Sequence, residues 1–284
     1  MSAPTVQLFV NERAGAHSRT RSRALARAFE LSGARVLVSD SAADRLTVDA
    51  DADHVCAVGG DGTLRHVVDA VRKADHAVKV SVFPMGMVNL LAREYAYPRR
   101  ARAFAARVLG DRRQAHFGAL VGDTPLSVCG SVGPDSLAVD TLSPRLKRAI
   151  GRAAYIVAFL LVLLRWRRVA MVLKHDGKAT PCEAVYIAKG RFFAGSWSFA
   201  PAARLGDPLL HVVALGRASR LRFLAFAWAI LRGHKVADLR GVTCFTCRQL
   251  TVIGDEPLPF QGDGDIIARL PVTVRLAAEA VDFA

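Results

Sequence analysis

Residues 59–63 read GGDGT and follow directly on a short apolar run, HVCAV. Gly59, Gly60 and Gly62 permit positive φ and let a bulky ligand approach the main chain. One carboxylate, Asp61, and one hydroxyl, Thr63, stand in that bare stretch. The residues that follow, TLRHVVDAVRKA, place Leu64, Val67, Val68 and Val71 at helical spacing, and threonine is a good N-cap, so the helix is expected to open at Thr63. A strand, a glycine turn and a helix N-terminus aim free N–H groups and the positive end of the helix dipole at one point. Phosphate is the natural guest there. The pattern matches neither the Walker A loop nor the dinucleotide fingerprint.

The elements needed to position such a loop are legible around it. TVQLFVN predicts an opening strand, SRTRSRALARAFELSG a helix closed by Gly33, and RVLVSD a second strand. VKVSVFPMG predicts a further strand, MVNLLAREYA a helix onset, and RRARAFAARVLG another helix after Pro98. This alternation implies an α/β domain with a mainly parallel sheet. The loops at Gly59–Gly62 and Gly86 both follow strands, so they are expected to meet at the carboxyl edge of the sheet. Past about residue 115 the grammar changes. AHFGALVG, TPLSVCGSVG, RVAMVLKHDG, PCEAVYIAKG, LLHVVAL, GVTCFTCRQLTVIG and LPVTVRLAAE read as short strands of an antiparallel β domain, interrupted by two helical stretches. The expected division is residues 1–117 and 118–284, with a last strand at about 270–284 packing back on the first domain and a tight cleft between the two.

The chain has 284 residues, 52% of them hydrophobic, with 39 Lys and Arg against 25 acidic residues and a formal net charge of +14. That charge points to an anionic partner. From Thr141 to His175 there are eight basic residues and no acid: Arg145, Lys147, Arg148, Arg152, Arg165, Arg167, Arg168 and Lys174. Between them lies AAYIVAFLLVLL, and a second basic-flanked stretch, LRFLAFAWAILRGHK, runs over residues 221–235. A helix of twelve residues covers about 18 Å, against roughly 30 Å for a bilayer core. These stretches are therefore expected either to be core helices with solvated ends or to lie on an anionic membrane, with Trp166 or Trp228 at the interface. The basic residues alternate with aliphatic blocks, and no nucleic-acid motif is present, which argues against nucleic acid. Five irregularly spaced cysteines and an N-terminus, MSAPTVQLFVNERAG, without the features of a signal peptide give the expectation of a cytoplasmic protein. Cys244 and Cys247 read as strand residues and not as a metal or redox pair.

Taken in order, these motifs resemble the diacylglycerol kinase catalytic family, the lipid kinases that include sphingosine and ceramide kinases. LFVNERAG looks like its opening strand and Asn-Pro-x-x-Gly turn, VGGDGTLRHVV like its nucleotide motif, and FPMGMVNLLARE like Pro-x-Gly-Thr-x-Asn-x-x-Ala-Arg. SVGPDSLAV, LKRAIGRAAYIVAFL, SFAPAARLGDPLLHVVAL and FQGDGDIIARLPVTVRL are similar to its later blocks. GGDGT alone is shared with NAD kinases; the later blocks favour lipid kinases.

The resemblance implies an NAD kinase-like α/β domain followed by an antiparallel β-sandwich with helical insertions. It implies ATP on the first domain, near Asn11, Gly59, Gly60, Asp61, Gly62, Thr63, Gly86 and Asn89, with Mg²⁺ held partly by Asp61. It implies a lipid hydroxyl as acceptor, at the inner face of the membrane, with Asp265 of Asp263-Gly264-Asp265 as general base. It also implies a second, structural Mg²⁺ at Asp207, with the carbonyls of Arg204 and Leu209. Phosphoryl transfer does need in-line positioning, charge neutralisation and a base near the attacking hydroxyl. The chain departs from the family at Met87, where threonine is usual, at Leu90, where many members carry Asp, and at Asp265, where Glu is usual. Pro208 also replaces the glycine after Asp207. The alternatives are a soluble NAD kinase and a lipid-binding protein without catalysis.

Overall fold

The computed structural model describes residues 3–12, 18–41, 46–142 and 153–284. The glycine of the opening turn, Gly15, and four of the basic residues, Arg145, Lys147, Arg148 and Arg152, lie outside the described residues. The chain divides into two compact units, residues 1–116 with 279–284, and residues 117–278.

In the first unit β1 (Thr5–Val10), β2 (Arg35–Asp40), β3 (His54–Gly59) and β4 (Lys79–Pro84) form a parallel sheet in the order β2-β1-β3-β4. The last strand, β18 (Val281–Phe283), extends it parallel to β4, and β5 (Gln114–His116) pairs antiparallel to β18. All six residues of β3 are buried, as a central strand covered on both faces requires. The helices are α1 (Arg19–Leu31), α2 (Asp61–Arg72), α3 (Leu90–Glu94) and α4 (Ala101–Val108). Ser18 caps α1, its side chain accepting from the Arg21 N–H, and Gly33 beyond the helix takes a φ of +85°. Phe29 and Phe83 both pack edge-on against Phe104, which ties α1, β4 and α4 into one core.

The second unit contains two six-stranded antiparallel sheets. One has the order β10-β9-β14-β17-β6-β7, from β6 (Ala119–Val121), β7 (Thr124–Leu126), β9 (Met171–His175), β10 (Lys178–Cys182), β14 (Gln249–Gly254) and β17 (Val272–Leu276). The other has the order β13-β12-β11-β8-β15-β16, from β8 (Cys129–Val132), β11 (Ala184–Ala188), β12 (Leu210–Leu215), β13 (Val242–Cys247), β15 (Pro259–Gly262) and β16 (Asp265–Arg269). Both contribute to one buried cluster, Leu173, Leu250 and Val274 from the first with Ile187, Val212 and Phe260 from the second. Among the described residues, three α-helices interrupt the strands: α5 (Pro134–Thr141), α6 (Ala153–Arg165) and α7 (Arg220–Arg232).

Three apolar runs that read as single strands are each two. AHFGALVG divides because His116 pairs with Val281, whereas Ala119 pairs with Leu276, in a different unit. TPLSVCGSVG divides because the N–H groups of Ser127 and Val128 turn away to a carboxylate, that of Asp263. GVTCFTCRQLTVIG changes sheets at Arg248. Only residues 279–284 return to the first unit; β17, within the expected last strand, belongs to the second.

Candidate active site

The two glycine loops of the first unit lie against each other at the carboxyl ends of β3 and β4. The N–H groups of Met85 and Gly86 donate to the Gly59 carbonyl, at 2.9 and 3.1 Å. A Cβ on Gly86 would stand 2.4 Å from the Gly60 Cα, and a Cβ on Gly59 would stand 2.3 Å from the Thr63 hydroxyl. Positive φ is not the reason for these glycines. None of Gly59, Gly60, Gly62 and Gly86 adopts it, and what each of the contacts requires is room for neighbouring backbone or side chain.

Polar side chains fix the pair of loops. The two oxygens of Asp61 accept the N–H groups of Leu90 and Leu91, at 3.0 and 3.3 Å, so a residue of the first loop caps the helix that follows the second. Asn89 sits in the left-handed region (φ 56°) and closes a ring with Gly86. Its Oδ1 accepts the Gly86 N–H at 2.8 Å, and its Nδ2 donates to the Gly86 carbonyl at 2.7 Å. Asn11, just past β1, donates from Nδ2 to the Thr63 hydroxyl at 2.9 Å. Thr63 is not the N-cap. The helix begins two residues earlier at Asp61, Gly60 is the cap, and the buried Thr63 side chain faces Asn11. No side chain caps α2, and Gly60 presents bare backbone at its N-terminus, the end that suits an anion.

The Asp-Gly-Asp motif of the second unit forms a two-residue hairpin turn. Asp263 (φ 51°) and Gly264 (φ 94°) both occupy the left-handed region, which suits a tight turn between β15 and β16. The buried Asp263 carboxylate accepts three N–H groups, from Ser127 at 2.7 Å, Val128 at 2.8 Å and Cys129 at 3.1 Å. Asp265 follows as the first residue of β16, half-buried and opposite Gly262. Beside β8 of the same sheet, on a helix, is a carboxylate that the sequence reading passed over. Asp135, in the first turn of α5, accepts from the Ser131 hydroxyl at 2.5 Å, and Ser131 also lies 3.3 Å from Gln261 of β15. Burial raises the Asp135 carboxyl above its ordinary range, against the bonds from the Ser131 and Tyr186 hydroxyls. The signal was available in SVGPDSLAV: an acid two residues after a glycine at the start of a helix.

The Asp207 loop does not fit the second metal. The Lys189 side chain, almost completely buried, donates from Nζ to the carbonyls of Asp207 and Leu209, the latter at 3.2 Å. The Arg204 carbonyl accepts the Asp207 N–H. Thus both carbonyls expected to bind metal already have donors, one of them cationic. Burial lowers the pKa of the Lys189 ammonium to about 8, with the Asp207 carboxylate acting in the opposite sense. Among the described residues, no group of three or more His, Cys, Asp or Glu side chains is arranged to hold a metal ion.

The two basic-flanked stretches are helices with one buried and one exposed apolar face. On α7, Leu221, Leu224, Trp228 and Leu231 are exposed while Phe223, Phe226 and Ile230 are buried. On α6, Ile156, Leu160, Leu161 and Leu164 are exposed. Trp166, at the end of α6, is buried instead of interfacial; its Nε1 donates to the Ala218 carbonyl at 2.7 Å and its ring meets Phe223 edge-on. Arg167 and Arg168 are also engaged, by Glu256 and Glu183 respectively, and Arg232 lies over the Trp228 ring; Arg165, Arg217, Arg220, Arg232 and Lys235 are exposed cations at or near the ends of these helices. No helix among the described residues is long and apolar enough to cross a membrane.

Comparison with known proteins places this geometry. Residues 5–120 match the diacylglycerol kinase catalytic domain, and residues 129–284 match the YegS C-terminal NAD kinase beta sandwich-like domain. A diacylglycerol kinase of Bacillus subtilis is 26% identical over 223 residues, 77% of this chain and 73% of its own. A diacylglycerol kinase of Staphylococcus carnosus is 23% identical over 224 residues, 78% and 72% of the two chains. A crystal structure of a diacylglycerol kinase from Bacillus anthracis superposes with a TM-score of 0.74 at 15% identity, covering 100% of this chain and 97% of that one. At that identity the likeness speaks for the fold.

Proposed function

The chain belongs to the diacylglycerol kinase family of lipid kinases, and on that premise we propose that it transfers the γ-phosphate of ATP to a lipid hydroxyl at an anionic membrane surface. The observation that carries the reading is the pair of glycine loops in backbone contact beside an uncapped helix N-terminus. Bare backbone and first-turn N–H groups together make a site for a polyphosphate.

Within this reading the phosphates lie along Gly59, Gly60, Gly62 and Gly86, while Asn11, Thr63 and Asn89 hold the loops in shape. A carboxylate in the first turn of a phosphate-binding helix repels its ligand unless a cation intervenes. Asp61, which accepts two N–H bonds, is the carboxylate that would meet such a cation, directly or through water. Among the described residues no further acidic cluster stands ready for a metal, so Mg²⁺ would be shared between Asp61 and the nucleotide and would supply neutralisation of charge on the transferring phosphoryl group. Asp265 accepts the proton of the attacking lipid hydroxyl as the new O–P bond forms and ADP leaves.

The exposed apolar faces of α6 and α7, with basic residues at their ends, suit a helix pair lying in a headgroup layer on the cytoplasmic side. Four such cations contribute about 1 kcal/mol each near an anionic surface, or roughly a thousandfold in partitioning. An NAD kinase would have no use for these faces.

The test is transfer of label from ATP, with Mg²⁺, to diacylglycerol, ceramide, a sphingoid base or monoacylglycerol in vesicles, run beside NAD. Label in a lipid and none in NAD is the expected result; label in NAD alone would overturn the proposal, and lipid binding without any transfer would mark a non-catalytic binder. Sedimentation with the same vesicles should show binding that rises with anionic lipid and falls with salt. Equal binding to neutral vesicles at all salt concentrations would remove the membrane part of the reading.

A further inference from the structure

A lysine is rarely buried without a partner, and Lys189 is only 1% exposed at the end of β11. Its backbone is held first: the N–H groups of Lys189 and Gly190 both donate to the Val128 carbonyl, at 2.7 and 3.0 Å. Val128 is in turn one of the three residues whose N–H groups converge on Asp263. The side chain then reaches the carbonyls of Asp207 and Leu209. In the same loop the Arg204 guanidinium donates to the carbonyls of Pro201 and Ala203, at 2.9 and 2.8 Å. Two cationic side chains therefore bind four carbonyls of the loop that the resemblance would give to a divalent ion.

The two arrangements compete. A Mg²⁺ on the Leu209 carbonyl would lie within a few ångströms of the ammonium on that same oxygen, and like charges that close repel. An ammonium is a poor mimic of a hydrated ion in bulk, but here it is covalently supplied at the end of a buried strand, and it donates where a metal would accept lone pairs.

We propose that the Lys189 ammonium is the resident cation of the Asp207 loop, so that residues 201–209 take their fold without a divalent ion. The inference goes beyond the transfer reaction and does not depend on it, because its readout is loop order in the absence of nucleotide. It also carries a reverse expectation. Shortening Lys189 should leave a group of carbonyls beside the Asp207 carboxylate that a divalent ion can fill.

The experiment uses the full chain, stripped of metal with a chelator, without nucleotide. Thermal unfolding and limited proteolysis within residues 201–209 are measured with and without millimolar Mg²⁺ or Ca²⁺, at matched ionic strength. Native protein and Asp207→Asn should respond identically to the metal, with no shift attributable to the loop. Lys189→Ala should unfold at lower temperature and cleave faster in the loop. It should regain about 3 °C or more on adding the ion, and the regain should vanish in the Lys189→Ala, Asp207→Asn double variant. A metal-dependent rise in native protein that disappears in Asp207→Asn would overturn the proposal, because it would place a divalent ion on that carboxylate despite the lysine. So would a Lys189→Ala protein with native stability and no response to metal. If Lys189→Ala does not fold, the native and Asp207→Asn pair decides the question alone.

Discussion

In the first unit the loop after β4 is ordered by a carboxylate, Asp61, that collects the N–H groups of Leu90 and Leu91. In the second unit the loop before β12 is ordered by an ammonium, Lys189, that collects the carbonyls of Asp207 and Leu209. A backbone that departs from helix or strand must still satisfy both kinds of group, and a buried charge of the right sign can gather several at once. The consequences for a ligand differ. In the proposed reaction, collecting N–H groups with Asp61 leaves negative charge beside the phosphates, which would call for a metal to accompany the nucleotide. Collecting carbonyls with Lys189 puts positive charge where a metal would otherwise go, which removes the need for one.

This contrast can be broken most forcefully at Gly86. A Cβ there would stand 2.4 Å from the Gly60 Cα and 2.7 Å from the Asn89 Oδ1. Gly86→Ala must part the two loops, and we expect kcat/KM to fall by about a hundredfold or more, since displacements near 1 Å have effects of that size. The overpacking should also lower stability by about 1–3 kcal/mol. A variant with native kinetics would mean that the contact between the loops does not shape the nucleotide site.

Acid should act on the first unit through His54, at the start of β3. Burial, with Lys79 adding to it, lowers this imidazole from 6.5 to about 4. Between those values the unfolded chain binds a proton that the folded unit does not, so stability falls as the pH drops from 6.5 towards 4. The loss should reach about 3 kcal/mol. Urea unfolding of native protein and His54→Val across that range checks the sign: the variant should show a flatter dependence.

Asp61→Ala tests the capping role separately from any role with metal. Loss of the carboxylate strands two N–H groups of α3, and stability should fall by about 1–2 kcal/mol. Asp61→Asn keeps one acceptor and should lose less stability while losing as much activity. Equal stability of native protein and Asp61→Ala would show that the cap contributes nothing measurable.

Much of the fold could be read from residue patterns. The βα alternation and the glycine loops gave the first unit, because parallel strands are apolar runs and each loop follows one directly. Less was legible where a residue's partner lies far away in sequence. Ser127 and Val128 read as strand because nothing nearby shows that Asp263 takes their N–H groups, 136 and 135 residues away. Thr63 read as a cap because threonine is a good one, yet its hydroxyl faces Asn11, 52 residues earlier. Lys189 had a signal, a lysine closing the apolar strand AVYIAKG, but its carbonyl partners belong to a loop about 20 residues on. The motifs named the two glycine loops that the structure brings into contact. They did not separate Asp263, which holds backbone, from Asp265, the one proposed as base.

Side-by-side unfolding and turnover of Asp263→Asn and Asp265→Asn test that separation most directly. Asp263→Asn removes the charge from a buried group that accepts three N–H bonds, and it should lower stability by about 3 kcal/mol. Asp265→Asn should keep the native unfolding temperature and lose about 10²–10⁴-fold in lipid phosphorylation, the range for a missing general base. Asp265→Glu should retain activity. Near-native kcat in Asp265→Asn, or native stability in Asp263→Asn, would contradict the division of roles between the two carboxylates.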